Sequence, residues 1–369
     1  MELINATRMV AGYTMGIEPS GRELLVVVIK GTFHLPKSPQ EPLRLHEAQV
    51  PLVMADTFTG EPGLSAPVYE AEFAPRKRRC DLVLLGSAYA PGGRPVERVS
   101  VGLKVGPLVK SFAVVGDRRW DVGPSGVSAT PAVPFATMPI SYDRAFGGVD
   151  NRHEDPAEHA AFMVNPVGRG FHKHLSIEWT HGRPLPNTEE LDRPVVRPDQ
   201  PYRPMSFGPI GRGWEPRLRY AGTYDQEWLD KVFPFLPADF DDAYYQCAPP
   251  DQQFDGALGG QEVTLANLTP DGRRSFVIPG FEAPVHVFPK KGEREDLKAR
   301  LDTLVLEPDL ERFTLVWRVA RPLKKNMFEI AQVLVGRKGK EWWQQREEVA
   351  FPIPVIAAAD EDATIVMKR

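Results

Sequence analysis

In Arg98-Val99-Ser100-Val101-Gly102-Leu103-Lys104-Val105, the residues Ser100, Gly102 and Lys104 alternate with Val101, Leu103 and Val105. A period of two is the signature of a β-strand with one buried face. The break at Gly106-Pro107 and the pair Gly116-Asp117 bound a second β-rich run at 109–115, and a third follows at 118–122. Upstream, residues 24–35 are dense in Val, Ile, Thr and Phe and stop at Pro36, and further runs lie at 68–73 and 82–89. The basic stretch Arg76-Lys77-Arg78-Arg79 between those two runs reads as a solvated hairpin turn whose charge protects a sheet edge.

The last third repeats the texture. Residues 262–268 lead into Thr269-Pro270-Asp271-Gly272, where proline presets φ and glycine takes the left-handed position, and 274–278 pair back. A second hairpin joins 301–306 to 313–320 through Glu307-Pro308-Asp309-Leu310-Glu311, and 328–335 is a further strand. Residues 340–348, with Trp342 and Trp343, read as a short helix, and the tail at 357–369, polar at first, reads either as disordered or as docking an edge strand at 364–367. No internal repeat stands out. The expected fold is mainly β, an antiparallel sandwich or barrel-like set of sheets with few short helices. Its organisation is a β-rich region at 1–123, a loop-rich middle at 124–260 packed on it, a β-rich region at 261–355 completing the same domain, and a tail at 356–369.

Composition narrows the function classes. The 369 residues carry 37 prolines, about twice the ordinary share, which disfavours a helical bundle. A net charge of −4 gives no basic surplus for nucleic acid or membranes. Cys80 and Cys247 lack metal or CxxC spacing and read as reduced thiols. The N-terminus shows no basic segment followed by an apolar core, and the longest apolar run, at 24–29, is too short to span a bilayer. These features lead to the expectation of a cytoplasmic protein.

The middle is different in kind. Phe207-Gly208-Pro209-Ile210-Gly211-Arg212-Gly213-Trp214-Glu215-Pro216-Arg217 has neither helical nor strand periodicity. Disordered linkers are poor in apolar bulk, so a stretch this aromatic is ordered. Short helices are expected at 155–163, with Pro156 in the first turn, and at 224–232, capped by Thr223 or Asp225. The aromatic and arginine excess in loops favours a recognition surface, with Phe146, Phe207, Trp214, Arg217, Tyr224, Trp228 and Phe240 as contacts. Packing of the same residues onto the β-core is the competing explanation for each of them.

Catalytic patterns fail on spacing. Gly123-Pro124-Ser125-Gly126 is not a nucleophile elbow, and Gly208 to Gly213 is neither GxGxxG nor a P-loop, with Trp214-Glu215-Pro216 poorly suited to opening a helix. His153-Glu154 with His159 is not HExxH. His172 and His174 would share one face of a strand and could form a metal pair with Glu178 or His181, but a polar loop rim explains them better. Asp239, Asp241 and Asp242 lack the EF-hand pattern, and Asp239 reads as a cap or turn residue. Neither a metal nor a cofactor is expected.

Several motifs carry a resemblance: 139–148 with Asp143, Gly147 and Gly148; 165–170 with Asn165, Gly168 and Gly170; 185–187 with Asn187; 207–210 with Gly208 and Pro209; 221–225 with Gly222 and Asp225; 234–241 with Pro237 and Asp239; and 248–253. On these the chain resembles a bacterial family of unknown function encoded beside type VI secretion genes, from near Asn5 through 313–318. The resemblance implies an adaptor or chaperone that binds a secreted effector in the cytoplasm and helps load it onto a PAAR or VgrG spike. The alternative is a β-scaffold hydrolase or carbohydrate-active enzyme using Asp143, Asp225, Asp239, Asp241 and the histidines at 172–181. A structural part of the secretion machine is a third reading.

Overall fold

The computed structural model describes residues 1–124, 126–256 and 258–350, the last four of these by backbone alone. The tail at 356–369, with its candidate edge strand at 364–367, lies outside the described residues.

Twelve strands carry the architecture. They are β1 (Glu2–Asn5), β2 (Val10–Ile17), β3 (Glu23–His34), β4 (Cys80–Leu84), β5 (Arg98–Val105), β6 (Leu108–Val115), β7 (Glu262–Ala266), β8 (Arg273–Val277), β9 (Ala283–Pro289), β10 (Glu295–Glu307), β11 (Arg312–Pro322) and β12 (Ile330–Val335). The first sheet runs β1-β12-β9-β10-β11-β3-β2, with β4 beside β10, and curls until it is nearly a closed barrel. The second is the antiparallel order β6-β5-β7-β8, extended past β6 by Thr188–Glu189. Strands from both ends of the chain interleave, β3 pairing with β11 along its whole length.

The alternation in β5 is realised residue by residue: Val99, Val101, Leu103 and Val105 are buried while Ser100 and Lys104 are exposed. These valines and leucines meet Leu25, Val27 and Ile29 of β3 and Leu315 and Trp317 of β11 in one continuous core. β3 is buried on its other face as well, because Leu24, Val26 and Val28 pack against Val316, Leu52 and Phe73. A two-sided burial of that kind makes it the centre of the structure.

Strand β10 changes neighbour part-way. Its first half pairs with β9 and its second half, from Thr303 to Leu306, pairs in parallel with β4. A bulge falls at the change, leaving Asp302 without a partner residue on β11. Bulges re-aim a side chain. Here the Asp302 carboxylate meets the Arg318 guanidinium at 2.6 Å, both nearly fully buried.

Four helices occur among the described residues: α1 (Ile177–Thr180), α2 (Glu215–Leu218), α3 (Gln226–Lys231) and α4 (Lys340–Ala350). Asp225 caps α3, accepting from the Trp228 amide, so of the two candidate caps the aspartate is the one used. The helix expected at 155–163 is a single turn, Pro156–Glu158, capped by Asp155. Helix α2 corrects the reading of Trp214-Glu215-Pro216: Pro216 sits in the first turn, where no amide hydrogen is required.

The basic stretch at 76–79 is corrected too. Lys77 is buried against Asp81, and Arg76, Arg78 and Arg79 pair with Glu18 and Asp242, Asp241, and Asp255. Lys77 thus turns inward, against the solvated-turn reading, while Arg78 and Arg79 stay exposed as that reading expected and make surface ion pairs. Both cysteines are free and buried. Burial pushes both thiols well above their ordinary range.

Candidate functional site

The signature run 207–217 crosses the outer face of β4. Phe207 is fully buried and packs its ring 4.6 Å from that of Phe112 on β6. Its carbonyl accepts from the Leu84 amide and from Gln252 Nε2, and that same amide group also donates to the Leu82 carbonyl. Gln252 thus bridges run and strand, and the 248–253 motif becomes a structural tie. Further along, Arg217 is 2% exposed. It donates to the carbonyls of Ile210 and Tyr244 and holds Glu70 at 2.5 Å. Arg212 reaches the same Glu70 oxygen at 2.7 Å and Asp56 at 2.7 Å. Burial acts to raise the pKa of Asp56, but the Arg212 guanidinium, the Ala71 amide and Arg217 together hold its carboxyl below the usual range. Trp214, 6% exposed, meets Tyr142 edge-on at 5.2 Å. Between them Trp214, Arg212 and Glu70 line a hollow of about 370 Å³.

Under this run lies a chain of buried charge. Lys77 contacts Asp81 at 2.6 Å, and Asp81 also accepts from Gln246 Nε2 and from the amides of Cys247 and Ala248. Burial acts to lower the pKa of Lys77, but Asp81, Cys247, Glu70 and Asp302 together raise it above the ordinary value. Lys30 with Glu72 and Arg318 with Asp302 continue the series on the neighbouring strands. With Arg212, Arg217, Asp56 and Glu70, positive and negative groups are equal in number. The sequence reading missed this feature. Its trace was visible in Lys30 and Asp81, charged residues at the end and the head of runs of Val, Ile and Leu.

A second knot fixes residues 142–170. Asn165, fully buried, donates from Nδ2 to the carbonyls of Tyr142 and Phe146, and its own carbonyl accepts from the Gly148 and Gly168 amides. Phe146 is fully buried in a cluster with Trp120, Leu185 and Tyr202. Gly170 contributes its carbonyl to Trp120 Nε1. Asn187 ties Val115, Asp117 and Arg144 together.

A family model described as "Uncharacterized protein conserved in bacteria (DUF2169)" matches residues 20–318. The chain belongs to that family. The match ends where the resemblance implied and begins at residue 20 rather than near Asn5. Every knot just described falls inside it, whereas β1, β12 and α4 fall outside. The description assigns no activity or partner. No curated protein and no solved structure matches the chain.

Phe146, Phe207, Trp214 and Arg217 are therefore interior side chains of this DUF2169 member. Side chains with so little exposed surface hold the layer down, which corrects their expected role as contacts. Gly208, which donates its amide to Ser206 Oγ, and Pro209, which lines the hollow, belong to the same run.

Residues 220–240 behave differently and form an arm. Its base is closed by Asp239, which accepts from the Thr223 amide and hydroxyl, next to Gly222 packed on Pro237. Trp228, half-buried, stacks edge-on with Tyr224 at 4.8 Å and Phe233 at 5.6 Å, and its Nε1 donates to the Phe235 carbonyl. Around it Tyr224, Leu229, Phe233 and Phe235 are 53, 52, 62 and 43% exposed. Phe240, half-buried, packs against Tyr244 and Tyr245 at the root.

The remaining candidates are committed to local structure. Asp143 accepts from the Ala66 amide and the Thr59 hydroxyl, and Asp241 caps the turn Asp242–Tyr245 while pairing with Arg78. His172 and His174 are not on a strand. His172 is buried rather than on a rim, with Arg152 Nη1 3.3 Å from its Nδ1. Burial, aided by the Arg152 charge, lowers its pKa to about 4. Native His172 therefore stays neutral while the unfolded chain takes up a proton near 6.5. Stability contributed this way is full above pH 6.5 and is lost as pH falls toward 4. His172→Gln is expected to flatten the fall in urea midpoint across that window. One cluster of possible metal ligands occurs among the described residues, His34, His46 and Glu47, which the sequence reading did not single out. There His46 Nδ1 already accepts from the Ala48 amide.

Among the described residues no helix is long and apolar enough to cross a membrane.

Proposed function

We propose that the protein is a non-enzymatic adaptor that seats a partner protein on the arm at 220–240. Following the resemblance in its motifs, the partner is a type VI secretion effector met in the cytoplasm, and the destination is a PAAR or VgrG spike. The observation carrying this reading is the exposure of Tyr224, Leu229, Phe233 and Phe235 on a frame already fixed by the Asp225 cap and the Asp239–Thr223 bonds. Exposed aromatics held in one conformation cost little entropy on binding and are typical interface anchors. The hydrolase alternative draws on Asp143, Asp225, Asp239, Asp241 and His172, whose side chains are engaged in turns, caps and packing.

Co-purification with the products of adjacent genes tests the reading. The Leu229→Ala, Phe233→Ala double variant should weaken capture by at least about tenfold. Its stability should change by less than about 1 kcal/mol, since both side chains are largely in water. Capture that is unchanged in this variant, or absent with the wild type, would refute the proposal.

A further inference from the structure

At one end of the barrel the β9–β10 turn and the β11–β12 loop face each other across a groove of about 560 Å³. Lys290 and Lys291 stand on one wall, Lys324, Lys325 and Phe328 on the other, and all five are exposed. Phe328 is 79% exposed, more than any other large apolar side chain among the described residues.

The loop is held in shape from below. Arg321, buried, pairs with Glu295 at 2.6 Å and Glu329 at 2.7 Å. The other Glu329 oxygen accepts from the amides of Lys324 and Lys325, and Asn326 Oδ1 accepts from the Phe328 amide. The two walls are joined by a bond from the Lys290 amide to the Glu329 carbonyl. Nearby acids are thereby used up internally: Glu295 and Glu329 serve Arg321, leaving Glu293 as the one other carboxylate lining the groove against four lysines.

We infer that this groove binds an acidic peptide segment of a partner protein, its carboxylates facing the lysines and an apolar side chain packed on Phe328. Concavity favours an extended peptide over a bilayer, which needs a convex or flat face. The wall-to-wall tie and the fixed loop make the site preorganised, so binding costs little ordering. Lysine ammoniums on opposed walls supply complementarity and a salt-dependent on-rate. The inference goes beyond the adaptor reading and stands whether or not the arm seats an effector.

The probe is a fluorescein-labelled peptide with glutamates flanking a Leu-Leu pair, titrated against the full chain and followed by anisotropy. Saturable binding that weakens with salt is expected. Phe328→Ala and the double variant Lys324→Glu, Lys325→Glu should each weaken it by about tenfold or more while leaving the melting temperature unchanged. Absence of binding overturns the inference, as does equal binding of the peptide with lysines in place of glutamates. So does wild-type affinity in both variants. Tighter binding of phosphatidylserine vesicles or of a single-stranded oligonucleotide would assign the lysines to a different partner and likewise overturn it.

Discussion

Asp81→Ala is expected to destabilise the protein by about 3–5 kcal/mol, because removing one member of a buried ion pair strands the other. Asp81 is fully buried at the start of β4. Its carboxylate neutralises Lys77 and receives three further donors from Gln246, Cys247 and Ala248. Those residues lie between the arm and the Gln252 bridge, so the substitution also removes one of the attachments of the loop layer to the barrel. Asp81→Asn keeps the shape and one acceptor oxygen but loses the charge, and should fall between the variant and the wild type. The measurement is the midpoint of denaturant unfolding. A midpoint for Asp81→Ala close to the wild type would mean the layer is not held by this network.

Gly147→Ala should cost roughly 2–6 kcal/mol, the sum of backbone strain and overpacking. Gly147 sits at φ +149°, and an added Cβ would lie 2.1 Å from the Asn165 carbonyl oxygen. That oxygen cannot retreat, since it already accepts from the Gly148 and Gly168 amides while the Asn165 side chain grips Tyr142 and Phe146. Gly213→Ala in the signature run is the internal control. Its Cβ would meet nothing within 4 Å, so a change within about 0.5 kcal/mol is expected. Comparable losses in the two variants would contradict the packing described for residues 142–170.

The strands were legible where one face is wet or a turn is chemically explicit. β5 follows its alternation, and the β7–β8 and β10–β11 hairpins turn at the proline-bearing sequences that foretold them. Strands β1, β2 and β9 were not foreseen. In β2, Gly12 and Gly16 dilute the β signal. Their role is tertiary, since a Cβ at Gly12 would come within 2.7 Å of Leu52. In β9, Pro284 and Pro289 argue against a strand between two neighbours, yet it pairs with both β10 and β12. The run at 68–73 gives a strand only at Pro67–Tyr69. The run at 82–89 splits at Leu85, where β4 ends and Gly86–Tyr89 pairs with Thr137–Ile140.

The candidate site was legible as a set of residues but not as a surface. In an aperiodic stretch nothing in the order of residues says which aromatic points inward. Phe207 and Phe233 look alike in sequence, yet the first is fully buried and the second is 62% exposed. What separates them is remote: Gln252 and Phe112 enclose Phe207, whereas Phe233 projects from the far side of Trp228. The buried charges were hidden for the same reason, because nearly every partner is remote in sequence, as with Lys30 and Glu72 or Arg217 and Glu70.

The aromatic middle divides into a buried run at 207–217 and an exposed arm at 220–240, which the proposed function makes the partner's seat. Hydrogen exchange of the free protein and of its complex with the co-purified partner tests that division most directly. Slow exchange at 207–217 is expected in both states, whereas the bonded amides of the arm at 223–240 should exchange measurably more slowly in the complex than in the free protein. Rapid exchange at 207–217 in the free protein, or protection on binding that appears elsewhere and leaves the arm unchanged, would contradict it.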